Sequence, residues 1–229
     1  MIIVALDPPP HADPREWCSR IVSSVAGHPS LAGVKIGLPA IVSQGLGWVK
    51  GVLEAVEGLR VADLKLADIG AIMRIVIERL ASAGFDAVIM HAFVGDEGAL
   101  DEAVDWCRAH GVKAIAVVSM SHPGSAKFID KHTKEMVEMC RRLGVWGFVA
   151  PATRPSMIKL VRDLAPDSRI LSPGVGAQGA TPGQALCAGA DYEIVGRAIT
   201  RAEDPRKALE EVAKLQREAL SKCREPSGR

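Results

Sequence analysis

Eight short runs rich in Val, Ile, Leu and Ala recur along the chain, separated by longer stretches of helical period. The runs fall near Ile2 to Asp7, Ala32 to Ile36, Leu59 to Lys65, Ala87 to His91, Ala114 to Ser119, Trp146 to Ala150, Arg169 to Ser172 and Tyr192 to Val195. This alternation is the tightest constraint on the fold, because strands separated by helices pair in parallel and need both sheet faces covered. Helix starts are marked where a capping residue precedes proline, at Asp13-Pro14, Thr181-Pro182 and Asp204-Pro205. Further helices are predicted near 40 to 57, 69 to 83, 96 to 110, 130 to 143 and 155 to 165. Eight such units in 229 residues predict an α/β protein folded as a (β/α)8 TIM barrel, one domain over residues 1–229. A doubly wound open sheet is the alternative. The polar stretch Ser221 to Arg229 reads as a frayed tail.

Composition narrows the partners. Lys plus Arg is 28 against 27 for Asp plus Glu, so the net charge of +1 lacks the field that nucleic-acid binding demands. No apolar run approaches the roughly 20 residues needed to span a bilayer. The first residues run straight into Ile2-Ile3-Val4-Ala5-Leu6 with no basic leader. The expectation is a soluble, cytoplasmic protein with neither a membrane nor a nucleic-acid partner. Cys18, Cys107, Cys140, Cys187 and Cys223 are odd in number and scattered, so five reduced thiols are expected. No His, Asp or Glu spacing resembles a metal site, and none is expected.

In such a barrel the chemistry sits at the C-terminal ends of the strands. Those ends carry Asp7, Lys35, Asp63 with Lys65, His91, Ser119 with Ser121, Pro151, Ser172 with Pro173, and Gly196 with Arg197. In Asp63-Leu64-Lys65-Leu66-Ala67-Asp68 the first charged pair shares strand parity, which puts both side chains on one face about 6.6 Å apart along the strand. With Lys35 and Asp68 they make an alternating Lys35, Asp63, Lys65, Asp68 array in which each charge favours ionisation of its neighbours. Solvated rim ion pairs would contribute well under ~1 kcal/mol each. Four alternating charges converging on strand ends point instead to a site.

Gly174-Val175-Gly176-Ala177-Gln178-Gly179 matches the dinucleotide pattern Gly-x-Gly-x-x-Gly, but follows the seventh strand instead of opening the first βα turn. Loops seven and eight of a barrel commonly hold a phosphate, and Gly174 to Gly183 with Gly196-Arg197 suit that role. Gln178 offers an amide and Arg197 a bidentate guanidinium. The loop could also close over a ligand. His91 and His122 read as hydrogen-bonded packing residues, and Ser121 is placed to contact a bound ring.

Taken together, Ala5-Leu6-Asp7, Val34-Lys35-Ile36-Gly37, Asp63-x-Lys65-x-x-Asp68-Ile69, Met120-Ser121-His122-Pro123-Gly124, Ser172 to Gly179 and Val195-Gly196-Arg197 resemble archaeal orotidine 5′-monophosphate decarboxylase from the first strand to the eighth. The resemblance implies cofactor-free decarboxylation of orotidine 5′-monophosphate to uridine 5′-monophosphate by a homodimer of barrels. Lys65 would be the general acid that protonates C6, Asp63 would face the departing carboxylate, and Lys35 would hold Asp63 and the ribose. Asp68 would reach the partner's site. Asp7 would bind ribose hydroxyls, Ser121 the pyrimidine, and Gln178 and Arg197 the phosphate, with Pro173, Gly176 and Gly196 shaping that pocket.

The chain departs from the family pattern at Ile72, where Thr is usual, and at Gly70, where Pro is common. Loss of the threonine hydroxyl would remove a hydrogen bond worth on the order of 1 kcal/mol. Two other readings stand beside this one. Magnesium-dependent sugar-phosphate decarboxylases and aldolases of the same superfamily share the Asp-x-Lys-x-x-Asp strand, but Lys35 would repel the divalent cation. A non-catalytic phosphate-ligand-binding barrel would have no need of Asp63 beside an anionic ligand.

Overall fold

The computed structural model describes residues 1–224. Strands β1 (Ile2–Leu6), β2 (Leu31–Gly37), β3 (Leu59–Leu66), β4 (Ala87–His91), β5 (Lys113–Val117), β6 (Gly147–Val149), β7 (Arg169–Pro173) and β8 (Tyr192–Val195) close in chain order into a barrel. Every neighbouring pair is parallel, including β1 with β8. The open-sheet alternative is thereby excluded.

The period of two along each strand builds two cores. Ile3, Ala5, Val61, Ile89, Ile115, Val117, Val149, Leu171 and Ile194 fill the barrel interior. Their neighbours Ile2, Val4, Val34, Ile36, Ala62, Val88, Met90, Phe148 and Val195 face outward into the layer under the helices. Those helices are α1 (Pro14–Val25), α2 (Leu38–Gln44), α3 (Val49–Leu53), α4 (Gly70–Ser82), α5 (Asp101–Ala109), α6 (Thr133–Leu143), α7 (Pro155–Leu164), α8 (Gln184–Cys187), α9 (Arg197–Thr200) and α10 (Pro205–Arg224).

Two of the three capped starts form as expected: Asp13 accepts from the Glu16 amide at 2.8 Å and Asp204 from that of Lys207 at 3.0 Å. Thr181-Pro182 does not open a helix. Its hydroxyl and amide turn to Gln184 Oε1, and α8 starts later, at Gln184. The helix expected over 40 to 57 is divided, because Gly45 at φ 69° ends α2. The segment over 96 to 110 begins with an irregular turn around Gly98 before α5 starts at Asp101. Residues 221–224 belong to α10, correcting the start of the expected frayed tail. The apolar stripe Leu209, Val212 and Ala213 docks α10 on the barrel. Residues 225–229 lie outside the described residues.

The cysteines require a further correction. Cys187 and Cys223 are joined in a disulfide, because α8 and α10 bring their Cα atoms to 6.0 Å across 36 residues of sequence. Cys18, Cys107 and Cys140 are free and buried, and burial pushes each thiol up to about 12. They are inert packing groups at neutral pH.

Candidate active site

A cavity of about 430 Å³ opens at the C-terminal ends of the strands. Lys35 is its electrostatic centre. From β2 its ammonium lies 3.2 Å from both carboxylate oxygens of Asp7, just after β1, and 3.1 Å from Asp63 Oδ2 on β3. Lys65 closes the row at 2.7 Å from Asp63 Oδ1. The side chains of Lys35 and Asp63 are only 8% and 11% exposed, so this is a desolvated network and not a rim of solvated pairs. Gly37 makes room for it: a Cβ there would stand 2.4 Å from Asp7 Oδ1.

Burying two such charges costs several kcal/mol per ion, and apolar residues would serve folding equally well. Such a network is more than folding requires, which marks it as a candidate site. Desolvation pushes the Asp63 carboxyl up, but Lys35 and Lys65 together outweigh it and hold the group below the ordinary carboxylate range. Desolvation likewise pushes Lys35 down, and Asp63 with Asp7 more than reverses it. A depressed Asp stabilises the fold above its unfolded pKa and loses that contribution as pH falls through its folded value. A raised Lys does so below its unfolded pKa and loses it as pH rises through its folded value. The array's contribution to stability is thus expected to be constant across the neutral range. It is lost in acid below pH ~4 and in alkali above ~10.4. Thermal midpoints against pH test this, with Asp63→Asn expected to flatten the acid limb.

Strand β3 is not regular where it delivers these groups. Its ladder with β4 breaks between Ala62 and Leu66, and Lys65 takes φ 48°, the only non-glycine positive φ among the described residues. Simple strand parity therefore does not hold, although both side chains do reach the cavity. A conformation of this kind costs of order 1–3 kcal/mol and concentrates at functional positions.

The remaining expected residues divide into two sets. Ser121, Pro173, Gln178, Gly196 and Arg197 line the cavity with Asp7, Lys35, Asp63 and Lys65. Gly176 does not line it; it is exposed in the loop, its amide donating to Ala180 O at 2.8 Å. Asp68 also stands outside this set. It is exposed beyond the end of β3 and accepts from the Ile69 amide at 2.8 Å. The four-charge array of the sequence is, within one chain, Asp7, Lys35, Asp63 and Lys65. His91 is half buried against Phe93, ring centroids 4.6 Å apart, with no partner for Nδ1. Burial, with Lys65 adding to it, lowers its pKa.

Two polar lining residues, Thr200 and Arg201, are not among those the sequence singles out. Thr200 and Arg201 follow Arg197 by three and four positions, the helical spacing that puts them on its face. Arg197 and Arg201 take part in none of the ion pairs among the described residues, so both guanidiniums are free for an anion. Ser119 and Met120 also line the cavity. Their loop is fixed from behind by Asp130, which accepts from the Ser119 and Ser125 hydroxyls at 2.8 and 2.6 Å and pairs with Arg154. Arg154 in turn donates to His122 O at 3.0 Å. No group of three His, Cys, Asp or Glu side chains among the described residues is placed to hold a metal ion.

A parallel barrel with a Lys-Asp-Lys row at its mouth, beside a glycine-rich loop and two free arginines, defines a class: enzymes acting on small phosphorylated ligands at a charged barrel mouth. Within that class, residues 1–212 match the model of the Orotidine 5'-phosphate decarboxylase / HUMPS family, and the chain belongs to this family. It is 48% identical over 220 residues to the orotidine 5'-phosphate decarboxylase of Aeropyrum pernix, covering 93% of this chain and 86% of that one. The crystal structure of the enzyme from Metallosphaera sedula superposes with a TM-score of 0.81 at 42% identity, over 96% of this chain and 98% of that one. The enzyme of Methanocaldococcus jannaschii complexed with the inhibitor BMP gives 0.82 at 30% identity, over 93% and 97%.

Proposed function

We propose that the chain decarboxylates orotidine 5′-monophosphate to uridine 5′-monophosphate, without a cofactor, in pyrimidine biosynthesis. The observation that carries the reading is the Lys35-Asp63-Lys65 row, which lines the cavity where a bound pyrimidine would meet it. Loss of CO₂ from C6 leaves an electron pair in the ring plane with no conjugated sink. A cation and a proton must therefore be supplied at that atom. Lys65 supplies both, and the departing carboxylate faces Asp63, whose ionisation Lys35 secures. Asp7 takes the ribose hydroxyls, Ser121 the pyrimidine, and Gln178 with Arg197 the phosphate. Arg201 and Thr200 join the phosphate end. Pro173 and Gly196 shape that pocket directly, and Gly176 does so through the turn its amide makes with Ala180 O. Binding the remote phosphate holds the reacting carboxylate beside Asp63, which neither group would tolerate free in water.

The working form is a homodimer in which Asp68 completes the partner's site. Its support is a run of apolar side chains exposed on the elements that follow three adjacent strands: Ile69, Ile72 and Ile75 after β3, Phe93 after β4 and Phe128 after β5. A monomer rarely leaves such a patch in water. Gly70 belongs to this corner; a Cβ there would meet the Glu102 side chain at 2.6 Å, so a proline in its place would not fit against α5. No helix of the described residues is long and apolar enough to cross a membrane. A cytoplasmic location is part of the proposal, since a phosphorylated nucleotide does not pass a bilayer unaided.

The reaction is tested in deuterium oxide. Uridine 5′-monophosphate formed there is expected to carry deuterium at C6, seen as loss of the H6 proton signal. Recovery of unchanged nucleotide, or of a product without that label, would overturn the reading.

A further inference from the structure

Glu193 lies on β8 with no solvent exposure, and it is not part of the cavity lining. Its carboxyl accepts from the Gly183 amide at 3.0 and 2.9 Å, from the Ala185 amide at 3.0 Å and from Gln216 Nε2 at 2.9 Å. No cation pairs with it among the described residues. Gly183 closes the glycine-rich loop, and Gln216, itself buried, stands on α10. The packing there leaves no slack. Gly183 sits at φ 88°, and a Cβ on it would fall 2.4 Å from the Ala219 Cβ and 3.2 Å from the Gln216 Cα. One turn further on, the Cys187–Cys223 disulfide ties α8 to the same helix.

We infer that Glu193 is a positioning residue for phosphate binding: with α10 it fixes the far end of the Gly174 to Gly183 loop. The near end springs from β7, and Glu193 stands on the strand that leads into Gly196 and Arg197. One strand thus registers the loop amides and the arginine against the same anion. The cysteine bond reinforces this clamp on the α10 side. The inference rests on the phosphate role given to that loop above.

Three measurements on the full chain test it. Glu193→Gln puts an amide where three N–H donors converge. Its KM for orotidine 5′-monophosphate is expected to rise about tenfold with kcat within about twofold. Its kcat/KM for orotidine, which lacks the phosphate, stays within about twofold, because only phosphate binding depends on the anchor. Equal losses on both substrates, or none on either, overturn the inference. Hydrogen exchange of amides 176–185 is expected to quicken in the variant without any ligand; unchanged exchange overturns the anchor whatever the substrate proves to be. Cys223→Ser should raise the nucleotide KM in the same direction by about two- to threefold, and an unchanged KM removes the disulfide from the clamp. If Glu193→Gln does not fold, Gln216→Met carries the same expectations with a smaller effect. Absence of turnover by the wild type would refute the site reading alone, since the exchange measurement still decides the anchor.

Discussion

Lys65→Ala is expected to lower kcat/KM for orotidine 5′-monophosphate by about 10⁴-fold or more, since one side chain serves as general acid and as the cation facing the developing charge. Stability should scarcely change. Lys65 is more exposed than its neighbours in the row, and its removal leaves Asp63 paired with Lys35. The left-handed backbone at this position costs Ala what it costs Lys, so the variant gains no relief of strain. Steady-state kinetics with a thermal midpoint separate the two effects. Retention of more than about a hundredth of the wild-type rate would mean the proton comes from elsewhere, since general acids typically contribute 10²–10⁴-fold. A collapse of the midpoint would mean the residue is structural.

The second large effect concerns Asp68, which its own chain leaves exposed and outside the cavity. If it completes the partner's site, Asp68→Asn alone should fall in activity by about 10²-fold or more, through loss of a charge poised at the reacting carboxylate. Lys65→Ala alone is also inactive. Mixed after dissociation and reassociation, the two should recover about a quarter of wild-type specific activity: half of the dimers are hybrid and one of their two sites is complete. No recovery, or an Asp68→Asn protein with full activity, contradicts the shared site.

Much of this was legible in the sequence because barrel strands must be apolar on both faces, so a charged residue at a strand end stands out. Asp7, Lys35, Asp63, Lys65 and Arg197 all stand in the cavity for that reason. What escaped depends on geometry that local pattern does not encode. Strand parity presumed a regular β3, whereas the ladder breaks after Ala62 and Lys65 reaches the mouth through a left-handed turn of backbone. Spacing alone makes Asp68 a fourth member of one array, whereas its side chain is exposed beyond β3 and outside the cavity lining of its own chain. Cys187 and Cys223 meet only because α8 packs on α10, which joins two residues 36 apart in sequence. Thr200 and Arg201 could have been found by continuing the helical period from Arg197. The start of α8 could not, since the group that captures its first amides is Glu193 on the following strand.

The most direct test of the central claim is the ultraviolet absorbance of orotidine 5′-monophosphate after addition of the wild-type protein in excess EDTA. The Lys-Asp-Lys row predicts rapid loss of the orotate band with chelator present and none with Lys65→Ala. A band that persists with well-folded wild-type protein, or that falls only when magnesium is restored, would contradict the account.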